Sequence, residues 1–262
     1  MNIIFRELKS NLKSFIIWIL SLSALFYVAS FEFEMFQGDS NITEAFDSFG
    51  FLFDALGGVP DMTTAVGFLS LVSIYIYVPL CIYSALLGSR IISKEEKNRT
   101  AEYLFALPVS RKKVISSKLA VAIFYTVLIA TISMIVSWYS FGMYSHEPVS
   151  FDAFIINLGI GVLLTQMIFL SIGMLLSSAL KNYKKSGGIT VGFVIGTFMI
   201  SMLVGLAEKA EVMKYITPFQ YFPAAAMMEG NFELVFILIT IGIVIVSFGG
   251  LYFFYSKRDL HI

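Results

Sequence analysis

Cysteine, histidine and charge are what this 262-residue sequence has least of, and each scarcity removes a class of protein. A single cysteine, Cys81, makes an intrachain disulfide impossible and leaves the redox compartment unmarked. The only two histidines, His146 and His261, fall at opposite ends of the topology derived below, so they share neither a metal nor a catalytic site. No G-x-x-x-x-G-K-[ST] segment occurs, which excludes ATP binding through an ordinary P-loop. The first apolar run lacks a small-x-small cleavage pattern after it and reads as a retained anchor. Only 14% of the residues are charged, and the five later apolar runs contain no Asp, Glu, Lys, Arg or His. Pumps driven by protons or ions place such groups at membrane depth as relays. The chain is therefore not read as an enzyme, and no cofactor or metal is expected on it.

What is present is apolar. Hydrophobic residues make up 58% of the chain, and the mean hydropathy is +0.83. Six runs, at about 15–31, 67–89, 119–144, 153–180, 187–207 and 234–256, are long enough to cross a bilayer as helices of ~20 residues. The predicted fold is all-α, a polytopic membrane protein of six transmembrane helices.

An even number of spans puts both termini on one side, and charge says which. Arg6, Lys9, Lys13, Arg90, Lys94, Lys97, Arg99, Arg111, Lys112, Lys113, Lys118, Lys181, Lys184, Lys185, Lys257 and Arg258 fall on one face. Those are sixteen of the eighteen basic residues; only Lys209 and Lys214 fall on the other. The loop 32–66 carries Glu32, Glu34, Asp39, Glu44, Asp47, Asp54 and Asp61 with no base at all. Lys and Arg stay cytoplasmic, so both termini are predicted cytoplasmic and the chain is assigned to the cell membrane. No nucleic-acid partner is expected.

Residues 1–14 place Ile4, Leu8, Leu12 and Phe15 near one helical face and Arg6, Lys9 and Lys13 on the others. This pattern suits an amphipathic cytoplasmic helix, or equally an extension of the first span. In the outer loop, Ile42, Phe46, Phe49, Phe53 and Leu56 form a helical stripe between Asn41 and the pair Gly57 and Gly58, predicting a helix over 42–56. Pro79 removes a hydrogen bond inside the second span. Tyr75, Tyr77 and Tyr83 in that span fit either a path lining or packing, and Asn157 and Gln166 in the fourth suit hydrogen bonds to another helix. Gly188, Gly192 and Gly196 make two consecutive G-x-x-x-G steps, a ridge for close helix packing against this chain or a second subunit. Pro218 and Pro223 bracket Phe219, Tyr221 and Phe222 in a short helix and turn at the outer surface.

The segment 90–118 stands apart. It holds eight of the basic residues between two apolar runs, with Glu95, Glu96 and Glu102 as its acids. Ser93 is placed to cap a helix running to Leu107, Pro108 stops it, and Ser110 caps a second helix. That second helix begins with Arg111, Lys112 and Lys113, cations at the positive end of a helix dipole, where each costs a few tenths of a kcal/mol. The expected form is helix, elbow, helix.

Residues 93–119, SKEEKNRTAEYLFALPVSRKKVISSKL, resemble the first cytoplasmic loop of ABC-2 type transporter permeases. Glu95, Thr100, Glu102, Leu104, Pro108, Ser110, Arg111, Lys118 and Leu119 stand at matching positions, and Arg99 replaces a Gly common in the family. The stretch Thr217, Pro218 and Phe219 and the tail Arg258, Asp259 and Leu260 are also similar. The resemblance implies one permease domain over 1–262, a second permease subunit (another copy or a paralogue), and a separate ATPase that carries ATP and Mg. It implies that 90–118 is the coupling loop, with Glu95, Glu96, Thr100, Glu102, Leu104, Pro108 and Arg111 as coupling residues, and that 1–14 is the connecting helix. A charge-free interior rich in Phe, Tyr and Met suits export of a hydrophobic or amphipathic compound, such as a drug, peptide or lipid-like molecule. A non-transporting scaffold or immunity factor and an ion-extruding permease are the alternatives.

Overall fold

The structure, a computed structural model, describes residues 3–36, 65–98, 109–145, 150–180, 183–206 and 211–257. Among these, the long elements are helices α1 (Ile3–Phe36), α2 (Ala65–Lys97), α3 (Arg111–Tyr144), α4 (Gly159–Ala179), α5 (Tyr183–Leu206) and α7 (Leu234–Lys257). A π-helical turn, Asp152–Leu158, leads into α4, and the short α6 (Ala224–Met228) precedes α7. Six helices are long and apolar enough to cross a membrane, matching the six predicted runs. The predicted outer helix over 42–56 lies outside the described residues.

Residues 3–14 are the first turns of α1, and no break separates them from the span. No Gly or Pro falls between Ile3 and Phe36, so nothing stops the helix. The same reasoning corrects the expected helix start at Lys94. The second span runs unbroken to Lys97, and Ser93, inside it, donates its hydroxyl to the Ser89 carbonyl instead of capping. Ser110 does cap α3, accepting from the Lys113 amide at 3.3 Å.

The axis of the bundle is α2. In its most apolar stretch 72% of the residues are buried, against 28% for α1 and α5 and 22% for α7, so the outer helices surround it. The tightest crossing joins α2 to α4. A Cβ on Gly88 would lie 2.5 Å from the Leu170 carbonyl oxygen, and one on Gly173 would run into the Ala85 carbonyl, so only glycine lets these backbones approach. Gln166 donates to the Leu80 carbonyl at 3.2 Å, as expected for a helix-to-helix tie. Ser177 donates to the Ser89 carbonyl, and the Ser89 and Ser186 hydroxyls pair at 2.7 Å, linking α2, α4 and α5.

The predicted glycine ridge faces the other way. Gly188, Gly192 and Gly196 would each meet nothing within 4 Å if they carried a Cβ. Their side of α5 meets no packing partner among the described residues.

On the face opposite the loop roots, Tyr221 stacks on Phe236 with centroids 4.9 Å apart and donates its hydroxyl to the Tyr215 carbonyl. Burial raises its phenol above the ordinary range. Tyr77 donates to the Phe222 carbonyl at 3.0 Å, so it fastens α2 to this turn.

Candidate functional site: an ionic cluster under the loop roots

Five charged residues from three helices meet near the ends of α2 and α3 that flank the segment 99–108. Arg6 and Glu7 come from α1, Lys94 and Glu95 from α2, and Lys118 from α3, two turns past its cap. Glu7 and Lys118 are fully buried and Glu95 is 3% exposed, a rare state for charges unless they are paired.

The pairs are close. The Lys118 Nζ lies 2.5 Å from Glu95 Oε2 and also donates to the Ile91 carbonyl. Lys94 Nζ lies 3.1 Å from Glu7 Oε2. Arg6 Nη2 stands 3.7 Å from both Glu7 Oε1 and Glu95 Oε1, bridging the two pairs electrostatically. Those two carboxylate oxygens make no hydrogen bond. Each carboxylate thus has one firmly held oxygen and, among the described residues, one within ion-pair distance of Arg6 alone.

Further ties bring the other helices to the same place. Tyr125 of α3 donates to the Leu8 carbonyl of α1 at 2.7 Å, and its ring packs on Phe15. Arg111 Nη1 donates to the Ser256 carbonyl near the end of α7, and the Ser116 and Tyr252 hydroxyls pair at 2.7 Å. The C-terminal end of a helix favours a cation there. The root of the loop at α3 is therefore bound to α1, α2 and α7.

Glu95, one of the coupling residues that the resemblance implies, is buried and paired with Lys118, because α2 continues past Ser93 and turns that carboxylate inward. Glu96, one residue on, is half-buried, and Arg111 is half-exposed while engaged to α7. Thr100, Glu102, Leu104 and Pro108 lie outside the described residues. Sequence reasoning counted Arg6, Lys94 and Lys118 for topology and passed over Glu7. The signal it left was Glu7 itself, the one acid among three bases in residues 1–14. Among the described residues no group of His, Cys, Asp and Glu is arranged to hold a metal.

A family model described as ABC-2 family transporter protein matches residues 1–260. No curated protein matches the chain.

Proposed function

Since the chain belongs to the ABC-2 transporter family, as a multi-pass membrane permease subunit, we propose that it exports a hydrophobic or amphipathic compound across the cell membrane. A separate subunit hydrolyses ATP, and a second permease, seated on the Gly188, Gly192 and Gly196 face of α5, completes the pathway. Segment 90–118 is the coupling loop, with Thr100, Glu102, Leu104 and Pro108 among its coupling residues. Glu95 acts beneath it as a positioning residue.

The observation that carries this reading is the buried cluster at both roots of the loop. A push on the loop reaches Glu95 through α2 and Lys118 through α3. Their shared ion pair, with Arg6 and Glu7, passes the displacement to α1. Packed contacts shared between helices turn a small shift into a rigid-body change of helices. The energy arrives by mechanical contact, consistent with apolar runs that contain no ionisable relay.

The test uses the permease reconstituted in proteoliposomes with its ATPase. Charge reversal of Glu102, Glu102→Lys, should leave insertion and basal ATP hydrolysis intact and abolish ATP-driven movement of amphipathic dyes. Undiminished transport by that variant counts against the coupling role, and transport without any ATPase refutes the proposal.

A further inference from the structure

Between the first turns of α1 and the last turns of α2 lies a cleft of about 260 Å³ that the transport reading leaves without a role. Its α2 wall is one helical stripe: Tyr83, Leu87, Arg90, Lys94 and Lys97, spaced by three or four residues. The α1 wall opposes it with Asn11, Ser14 and Trp18. The cleft is therefore graded along its length. Apolar and aromatic groups lie toward the bilayer centre, and three cations with hydroxyl and amide groups lie toward the membrane surface. Arg90 and Lys97 are about seven residues apart on α2, or ~10 Å along the axis, the scale of a headgroup layer.

The charges favour an anion. Lys94 is held by Glu7, but Arg90 and Lys97 are exposed and, among the described residues, have no carboxylate within ion-pair distance. Glu7 does not line the cleft. Deeper in, Tyr83 is 3% exposed and its hydroxyl has no hydrogen-bond partner, while its ring meets Trp18 edge-on at 5.7 Å. An unpaired buried hydroxyl is costly, and a ligand oxygen would satisfy it.

Size narrows the class further. With ~30 Å³ per water, the cleft holds the equivalent of roughly nine waters. That accommodates a phosphodiester and its glycerol but falls below the ~300 Å³ at which drug-sized ligands begin to fit. Basic pockets between membrane helices on the cytoplasmic side suit anionic headgroups.

We propose that this cleft binds one anionic phospholipid of the bilayer leaflet beside the loop roots. Its phosphate pairs with Arg90 and Lys97, and its acyl chains run along Trp18 and Leu87. The site needs only that the chain lies in a bilayer, so it stands or falls separately from the coupling proposal.

Trp18 is itself the probe. In full-length protein carrying Trp138→Phe, the one other tryptophan is removed. In this protein, brominated phosphatidylglycerol should quench Trp18 at lower mole fraction than brominated phosphatidylcholine. Arg90→Gln with Lys97→Gln should cost about fivefold in that preference per cation removed. Lys112→Gln with Lys113→Gln, on α3, should leave it unchanged. In the protein with Arg90 and Lys97 intact, rising NaCl should erase the preference without any substitution. Equal quenching by both lipids overturns the proposal, as does a preference that survives loss of Arg90 and Lys97. Relief of quenching by soluble glycerol 3-phosphate would assign the site to a free phosphate and overturn the lipid.

Discussion

Replacing Lys118 by methionine removes the ammonium and keeps most of the side-chain volume. Glu95 is then left 3% exposed with its Oε2 unpartnered and Arg6 at 3.7 Å from Oε1 as its nearest cation. The Ile91 carbonyl also loses the donor that Lys118 supplies. Breaking one side of a buried ion pair costs about 3–5 kcal/mol, because the remaining charge stays desolvated. Removing both charges, as in Glu95→Leu with Lys118→Met, should recover most of that loss, since apolar replacement of a buried pair is often neutral or stabilising. The assay is unfolding by SDS titration in mixed micelles, run as a double-mutant cycle over the two positions. A coupling energy of at least ~2 kcal/mol is expected. If Lys118→Met alone unfolds within ~1 kcal/mol of the unsubstituted protein, or if the double variant is no better than the single, the pair is wet and the reasoning fails. The double variant then separates stability from function: it should fold well and still transport poorly, because the transmitted contact is gone.

Three further outcomes follow from the packing. Gly173→Leu drives a side chain into the Ala85 backbone and should cost at least ~1–3 kcal/mol by overpacking, seen as loss of monodisperse protein on size exclusion. Gly192→Leu meets nothing among the described residues and should leave the fold intact within ~0.5 kcal/mol. The same change should abolish cross-linking between two copies through Gly196→Cys in a Cys81→Ala background, and persistent cross-linking would show that the ridge is not the contact. Tyr77→Phe deletes the hydrogen bond to the Phe222 carbonyl and should destabilise by about 1 kcal/mol, read by the same SDS titration.

Much was legible because bilayers impose one-dimensional rules. A run of apolar residues long enough to span must be a helix, since its backbone has no other partner in lipid. Six runs and a cap at Ser110 are local facts, and local facts are readable in order along the chain. The ionic cluster was not, because Glu95 and Lys118 are separated by 23 positions, and Glu7 belongs to a different end of the sequence altogether. α2 continues past Lys94 as one helix, and that continuity turns Glu95 inward.

The glycines make the same division plain. Sequence alone determined that glycines at four-residue spacing suit close helix contact, that six runs are long enough to span a bilayer, and that the five later runs hold no Asp, Glu, Lys, Arg or His. Only the tertiary structure decided that Gly88 and Gly173 make the tight crossing while Gly188, Gly192 and Gly196 face away, and that the charges counted for topology pair in a buried knot. Spacing along a helix sets which residues share a face, but which neighbour that face meets depends on how separate helices close upon one another.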